Sequence, residues 1–115
     1  MKFIIKGELK SKANSRRVTR NGLIIKSKAA LEFMEYAVLQ LQQQYKGEPI
    51  EYKVYLDLVI YYPNRRSDLS PELFFDCLQK AGVLKNDRQI YGYVAIKELD
   101  KENPRVECTL YKHEN

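Results

Sequence analysis

Residues 54–90 read VYLDLVIYYPNRRSDLSPELFFDCLQKAGVLKNDRQI, and the hydrophobic period changes once within them. Val54, Leu56, Leu58 and Ile60 alternate with Tyr55, Asp57 and Val59, the period of a strand with one face on a core. Ser70-Pro71-Glu72 then has the chemistry of a helix start: a capping hydroxyl, a proline at the first helical position and an acid in the first turn. Leu73, Phe74, Cys77, Leu78 and Ala81 recur at helical spacing, and Gly82 supplies the stop. After the turn Lys85-Asn86-Asp87 a new strand begins at Ile90, so the stretch is a strand, a helix and a second strand.

Working outward, Phe3-Ile4-Ile5 opens a short strand, and 10–21 is a polar, basic loop with Asn14, Ser15 and Asn21-Gly22 as turn formers. Leu23-Ile24-Ile25 makes another short strand. Ser27 caps a helix whose apolar positions are Ala30, Phe33, Met34, Ala37, Val38 and Leu41, and Gly47 and Pro49 end it. On the carboxyl side, 90–99 and 105–111 read as strands joined by Asp100-Lys101-Glu102-Asn103-Pro104, with Val106, Cys108 and Leu110 facing the core. The order β-β-α-β-α-β-β, without repeats or low-complexity linkers, predicts a small α+β fold: two main helices packed on a mixed sheet.

The chain of 115 residues is expected to form one domain, 1–115, with core enough for one layer pair and little to spare, so a partner subunit would help. Lysine and arginine outnumber aspartate and glutamate by 20 to 15. The excess is concentrated: Lys2, Lys6, Lys10, Lys12, Arg16, Arg17, Arg20, Lys26 and Lys28 face Glu8 alone in 2–28, which makes that segment the expected contact for a polyanion. Cys77 and Cys108 sit among apolar neighbours with no CxxC or Cys/His cluster, so they read as buried free thiols of a reducing cytoplasm. Met1-Lys2-Phe3-Ile4-Ile5 is broken by Lys6 too early for a signal peptide, and no apolar run reaches membrane-spanning length. No membrane partner is expected, and a cytoplasmic location is.

The chemistry is concentrated in the central stretch. Arginines and lysines hold phosphate, while carboxylates can hold a cation that activates water, and here Arg65, Arg66, Lys80 and Arg88 surround Asp68, Glu72, Asp76 and Asp87. A helix between them could return the chain to the same end of the sheet, so that Asp68 and Asp87 meet. Magnesium takes hard oxygen ligands and keeps several waters, so two or three such acids suffice, and Glu72 and Asp76, four apart, would extend the cluster. Each acid also has an ordinary reading: a cap, a solvated charge, Glu72 answering the helix dipole, or Asp76 pairing with Lys80. Phe75 interrupts the polar face of that helix and suits a subunit contact or a stacked base, or burial under a loop. Tyr61, Tyr62, Tyr91 and Tyr93 flank the acidic loops, as tyrosines do on many sheets. His113, alone in a tail expected to fray, leaves nucleophilic triad chemistry without a base.

In order along the chain, several segments resemble the RusA family of bacterial and phage Holliday-junction resolvases. They are Lys12-Ala13-Asn14-Ser15, Arg65-Arg66-Ser67-Asp68-Leu69, the helix 75–84, Asn86-Asp87-Arg88-Gln89-Ile90 and Pro104-Arg105-Val106-Glu107. The resemblance implies a homodimeric, magnesium-dependent endonuclease, with manganese an alternative metal, that nicks paired strands of four-way DNA junctions in recombination and repair. It implies Asp68 and Asp87 as catalytic acids, Glu72 as a candidate third and Asp76 as a further metal ligand. Lys12, Asn14, Arg16, Arg17, Arg20, Arg65, Arg66, Lys80 and Arg88 are the expected DNA contacts.

The chain departs from the family pattern where a second acid, an asparagine and a lysine are usual. Ser70 stands at the acid's place counting forward from Asp68, and Glu72 at the lysine's place counting back from Asp76. A serine hydroxyl is a poorer magnesium ligand than a carboxylate, so either Glu72 supplies the missing ligand or the site is weakened. Two other readings stay open: a junction-binding protein of the same fold without chemistry, and a small basic adaptor for protein partners.

Overall fold

A computed structural model describes residues 1–10, 16–18, 24–65 and 69–114, with backbone only for 16–18 and 24–26. Six strands and two helices follow one another: β1 (Lys2–Lys6), β2 (Arg16–Val18), β3 (Ile24–Lys26), α1 (Lys28–Gln44), β4 (Val54–Tyr62), α2 (Glu72–Lys80), β5 (Ile90–Leu99) and β6 (Arg105–Lys112). This is the expected α+β order with one addition, since β2 lies inside the stretch read as a loop. It pairs antiparallel with β3, Arg17 opposite Ile25. Three residues with two arginines carry too little apolar alternation to announce a strand.

The main sheet has the order β1-β6-β4-β5. β1 and β6 are antiparallel, as are β6 and β4, but β4 and β5 are parallel, with Val54 opposite Ile90 and Tyr62 opposite Leu99. A parallel neighbour requires a crossover, and α2 provides it. The helix leaves from the end of β4 and delivers the chain to the start of β5, which is the opposite end of the strand pair. The expectation that the helix returns the chain to one end of the sheet is therefore not met.

Both helices lie on one face. Val54, Leu56, Leu58, Ile60 and Tyr62 of β4, Phe3 and Ile5 of β1, and Val106, Cys108 and Leu110 of β6 are buried with Ala30, Phe33, Met34, Ala37 and Leu41 of α1 and Leu73, Phe74, Cys77 and Leu78 of α2. Burying a large aliphatic side chain stabilises by roughly 1.5–3 kcal/mol, so this one cluster dominates the fold. Tyr55, Asp57, Val59 and Tyr61 point to the other, half-exposed face. Both cysteines are free and buried, and burial pushes the Cys108 thiol up to about 12, so it carries no thiolate chemistry.

The caps separate local from tertiary information. Ser27 caps α1 as its sequence predicts, its Oγ accepting from the Ala30 N–H at 3.2 Å. α2 departs from expectation: Pro71 occupies the cap position without a side-chain bond, and the Ser70 hydroxyl donates to the Glu72 carboxylate instead. Gly82, at φ +79°, ends α2 as a left-handed stop. His113 does not fray but stacks on Tyr91 at 5.7 Å between ring centroids, while its N–H donates to the Lys53 carbonyl.

Candidate active site

The acidic turn is built by side-chain amides. Asn86 caps the short 3-10 turn Asp87–Gln89, its Oδ1 accepting from the Arg88 N–H at 2.9 Å, while Gln89 Oε1 accepts from the Asn86 N–H at 2.7 Å. That reciprocal pair is a capping box, which uses orphan donors at the turn's start. Gln89 Nε2 also donates to the carbonyls of Ile50 and Tyr52, at 2.7 and 2.9 Å, fixing the turn to the segment that enters β4. From the other side, Gln79 in the last turn of α2 accepts from the Asp87 N–H at 3.0 Å. Asp87 is thus exposed, with its backbone held at the carboxyl end of α2.

Glu72 is exposed at the opposite, amino-terminal end, seven residues before Gln79. At 1.5 Å rise per residue the two positions are roughly 10 Å apart along the axis. Asp76 lies between them, half-buried, beside a recess of about 340 Å³ lined by Met34, Asp76, Gln79 and Lys80. Among the described residues no three of the Asp, Glu, His and Cys side chains gather closely enough to hold a metal ion. Glu72, Asp76 and Asp87 therefore do not make a metal site by themselves.

Asp68 and Arg66 lie outside the described residues, as do Lys12, Asn14 and Arg20. Arg16 and Arg17 belong to β2, opposite Lys26 and Ile25. Arg65 is exposed just beyond β4, and its carbonyl accepts from Lys97 Nζ at 3.0 Å, which ties this connection to the far end of β5. Lys80 and Arg88 are exposed near the Asp87 end of α2. Phe75 is half-buried and meets Tyr93 edge-on at 5.0 Å.

Gln79, Gln89 and Lys97 position the site's backbone and were not among the expected residues. Only Gln89 had a readable signal, the Asn-x-x-Gln spacing of a capping box. Gln79 and Lys97 act across elements, and no spacing announces that.

The family model described as "Endodeoxyribonuclease RusA" matches residues 6–111, which include both the arginine-rich connection and the acidic turn. The chain belongs to the RusA endodeoxyribonuclease family. A relative, "Crossover junction endodeoxyribonuclease RusA" of Aquifex aeolicus (strain VF5), is 31% identical over 85 residues, covering 71% of this chain and 68% of the relative. Within this RusA-family chain no described helix is long and apolar enough to cross a membrane.

Proposed function

We propose that the chain is a magnesium-dependent endonuclease that binds four-way DNA junctions as a homodimer and nicks paired strands, serving recombination and repair. The observation that carries this reading is the family match, whose span of residues 6–111 takes in the candidate acids and the bases around them. The donor set fits a hard cation: Asp68, Asp87 and Glu72, with Asp76 as a further ligand, would offer carboxylate oxygens to magnesium or manganese. Bound there, the cation would generate hydroxide from water and stabilise charge on the phosphate. Ser70 orients the Glu72 carboxylate through its hydroxyl, and Gln79 fixes the backbone of Asp87. Arg65, Arg66, Lys80, Arg88 and the basic amino-terminal segment would hold the phosphate backbone, setting affinity and salt dependence more than base preference.

Glu72 and Asp87 stand at opposite ends of α2, which argues for a site completed across a dimer. In that arrangement Asp87 of one copy serves the Asp68 and Glu72 of its partner. The test is nicking of a synthetic four-way junction with and without magnesium. Asp68→Asn and Asp87→Asn should each abolish nicking while junction binding persists. Mixing the two inactive variants restores one intact site per mixed dimer, so random exchange returns about a quarter of wild-type activity. A mixture that stays inactive means both acids come from one chain. Binding without nicking at any divalent concentration means the chemistry is lost, and salt-insensitive or absent DNA binding leaves the adaptor.

A further inference from the structure

The strands that meet at the start of β4 bring a further group of side chains to the Asp87 end of the sheet. Val54 pairs with Ile90 on one side and Lys112 on the other, so Lys53, Tyr91 and His113, each next to one of these residues, gather there. The Tyr91 and His113 rings stack at 5.7 Å between centroids with 22° between their planes, and Lys53 Nζ lies 4.5 Å from the Tyr91 centroid. The His113 N–H, donating to the Lys53 carbonyl at 2.8 Å, holds the end of β6 in place.

The backbone is shaped to present this ring. Between Val54 and Tyr55 the pairing passes from Ile90 to Gly92, so Tyr91 is the extra residue of a bulge, the device by which a strand re-aims one side chain. A side chain on Gly92 would meet the Tyr55 ring at 3.2 Å, so the glycine leaves room for that ring beside the bulge. Tyr91 is nevertheless 59% exposed, more than any other large hydrophobic side chain among the described residues. Burial therefore does not account for the bulge. The charge around the ring favours an anion: Lys53 makes no ion pair among the described residues, Arg88 is exposed three residues before Tyr91, and Glu51 is engaged by Lys85 at 2.9 Å. Lys112 pairs with buried Val54 and so points to the opposite face, its Nζ over Tyr52 at 5.3 Å.

We infer that Tyr91 and His113 form a stacking platform for one unpaired base of branched DNA, with Lys53 taking the phosphate beside it. Aromatic rings accept any base through its π face, and an ammonium resting on an exposed ring is a group that a phosphate can draw off, uncovering the ring for the base. Continuous duplex keeps its bases inside the stack, out of reach of a ring, whereas a branch point interrupts the stack and lowers the cost of splaying one base out. Tyr91 follows Asp87 by four residues, within about 14 Å even along a fully extended chain, so the held base belongs to a nucleotide close to the candidate acid. That last placement rests on the nuclease reading; the platform itself does not.

The chain contains no tryptophan, so Tyr91→Trp in the full chain installs a single reporter that keeps a stacking face. Its emission should be quenched by a twelve-nucleotide thymidine strand and by a synthetic four-way junction, and left unchanged by a strand of abasic nucleotides or by a continuous duplex. Tyr91→Leu should weaken binding of the thymidine strand about tenfold without altering the slope of log affinity against log salt, because a ring carries no charge. Lys53→Ala should lower that slope by about 0.7, the value of one phosphate contact on a single strand. Emission that either the thymidine strand or the junction leaves unmoved, or that the abasic strand or the duplex moves equally, overturns the inference, as does a Tyr91→Leu chain that binds like its parent. Quenching by both probes in a chain that nicks no junction keeps the platform and sinks the nuclease reading; magnesium-dependent nicking with unmoved emission does the reverse.

Discussion

The β1 and β5 edges pose the same physical problem and are handled in opposite ways. Backbone N–H and C=O groups at a sheet edge need partners, and a chain can supply them from its own side chains or from another molecule. At β1 the two amides of Gln40 and Gln44, one helical turn apart, match the two-residue repeat of the strand. At β5 the edge is long, mixes exposed Val94, Ile96 and Leu99 with Lys97 and Glu98, and has no neighbour among the described residues. β1 and β5 are the two outer strands of the sheet, and β5 begins just after the turn that carries Asp87. The difference teaches that one sheet can meet the same backbone demand with its own side chains at one edge and leave it unmet by the chain at the other.

Breaking the open edge should have the largest effect. If the proposed homodimer uses this edge, Tyr93→Lys with Ile96→Lys should weaken it about a hundredfold and remove the proposed nicking at protein concentrations below the new dissociation constant. The folded chain should lose only about 1 kcal/mol of stability, the value of the edge-on Phe75–Tyr93 pair, because Ile96 is half-exposed. Concentration-independent nicking by this variant would erase the functional distinction between the edges.

Opening the closed edge comes next. Gln40→Leu with Gln44→Leu removes four hydrogen bonds, each with a net value of about 0.5–1.5 kcal/mol, discounted because solvent can replace them. Urea unfolding should therefore fall by about 2 kcal/mol, and the variant should self-associate through β1. An unchanged midpoint would mean the glutamines are decoration.

A smaller effect separates the edges by charge. Arg65→Ala and Arg88→Ala flank β5 and should each lower the slope of log affinity against log salt by roughly 0.9 if each removes one phosphate contact. Lys112→Ala, at the end of β6, should leave that slope unchanged. Equal losses from all three would spread DNA contact over the whole sheet.

The smallest expected change lies at the turn between β5 and β6. Arg105 bonds Asp100 and Glu107, both at 2.8 Å, and lies over the Tyr61 ring at 3.7 Å. Its guanidinium holds both carboxyls below their ordinary values. A lowered folded value gives stability that is present above the unfolded pKa, near 4, and lost as pH falls through the folded value. Arg105→Leu should flatten the loss of stability between about pH 4 and pH 2 without altering the dimer. The acid titration of thermal unfolding measures this.

Much of the fold was legible because burial writes a period into the chain. The alternation of β4, the helical stripes of α1 and α2, the Ser27 cap and the Gly82 stop are local features, and each was found where it was read. The failures were also physical. β2 was too short to show alternation, Ser70 chose a neighbouring carboxylate over the backbone, and His113 found an aromatic partner through β5. Of the candidate site, Glu72, Asp76 and Asp87 stand on the expected elements, while Asp68 lies outside the described residues. Their separation along α2 was not legible, because the parallel sense of β4 and β5 is a long-range pairing with no local signature.

By itself the sequence determined which residues are buried, where helices and strands begin, and the family to which the chain belongs. These follow from side-chain chemistry and spacing, which need no knowledge of neighbours. Only the tertiary structure decided that α2 is a crossover, that its two ends carry different acids, and that one sheet edge is closed by glutamines while the other stays open. Those outcomes depend on which strands pair and in which direction, and pairing direction is set by the packing of the whole layer rather than by any one segment.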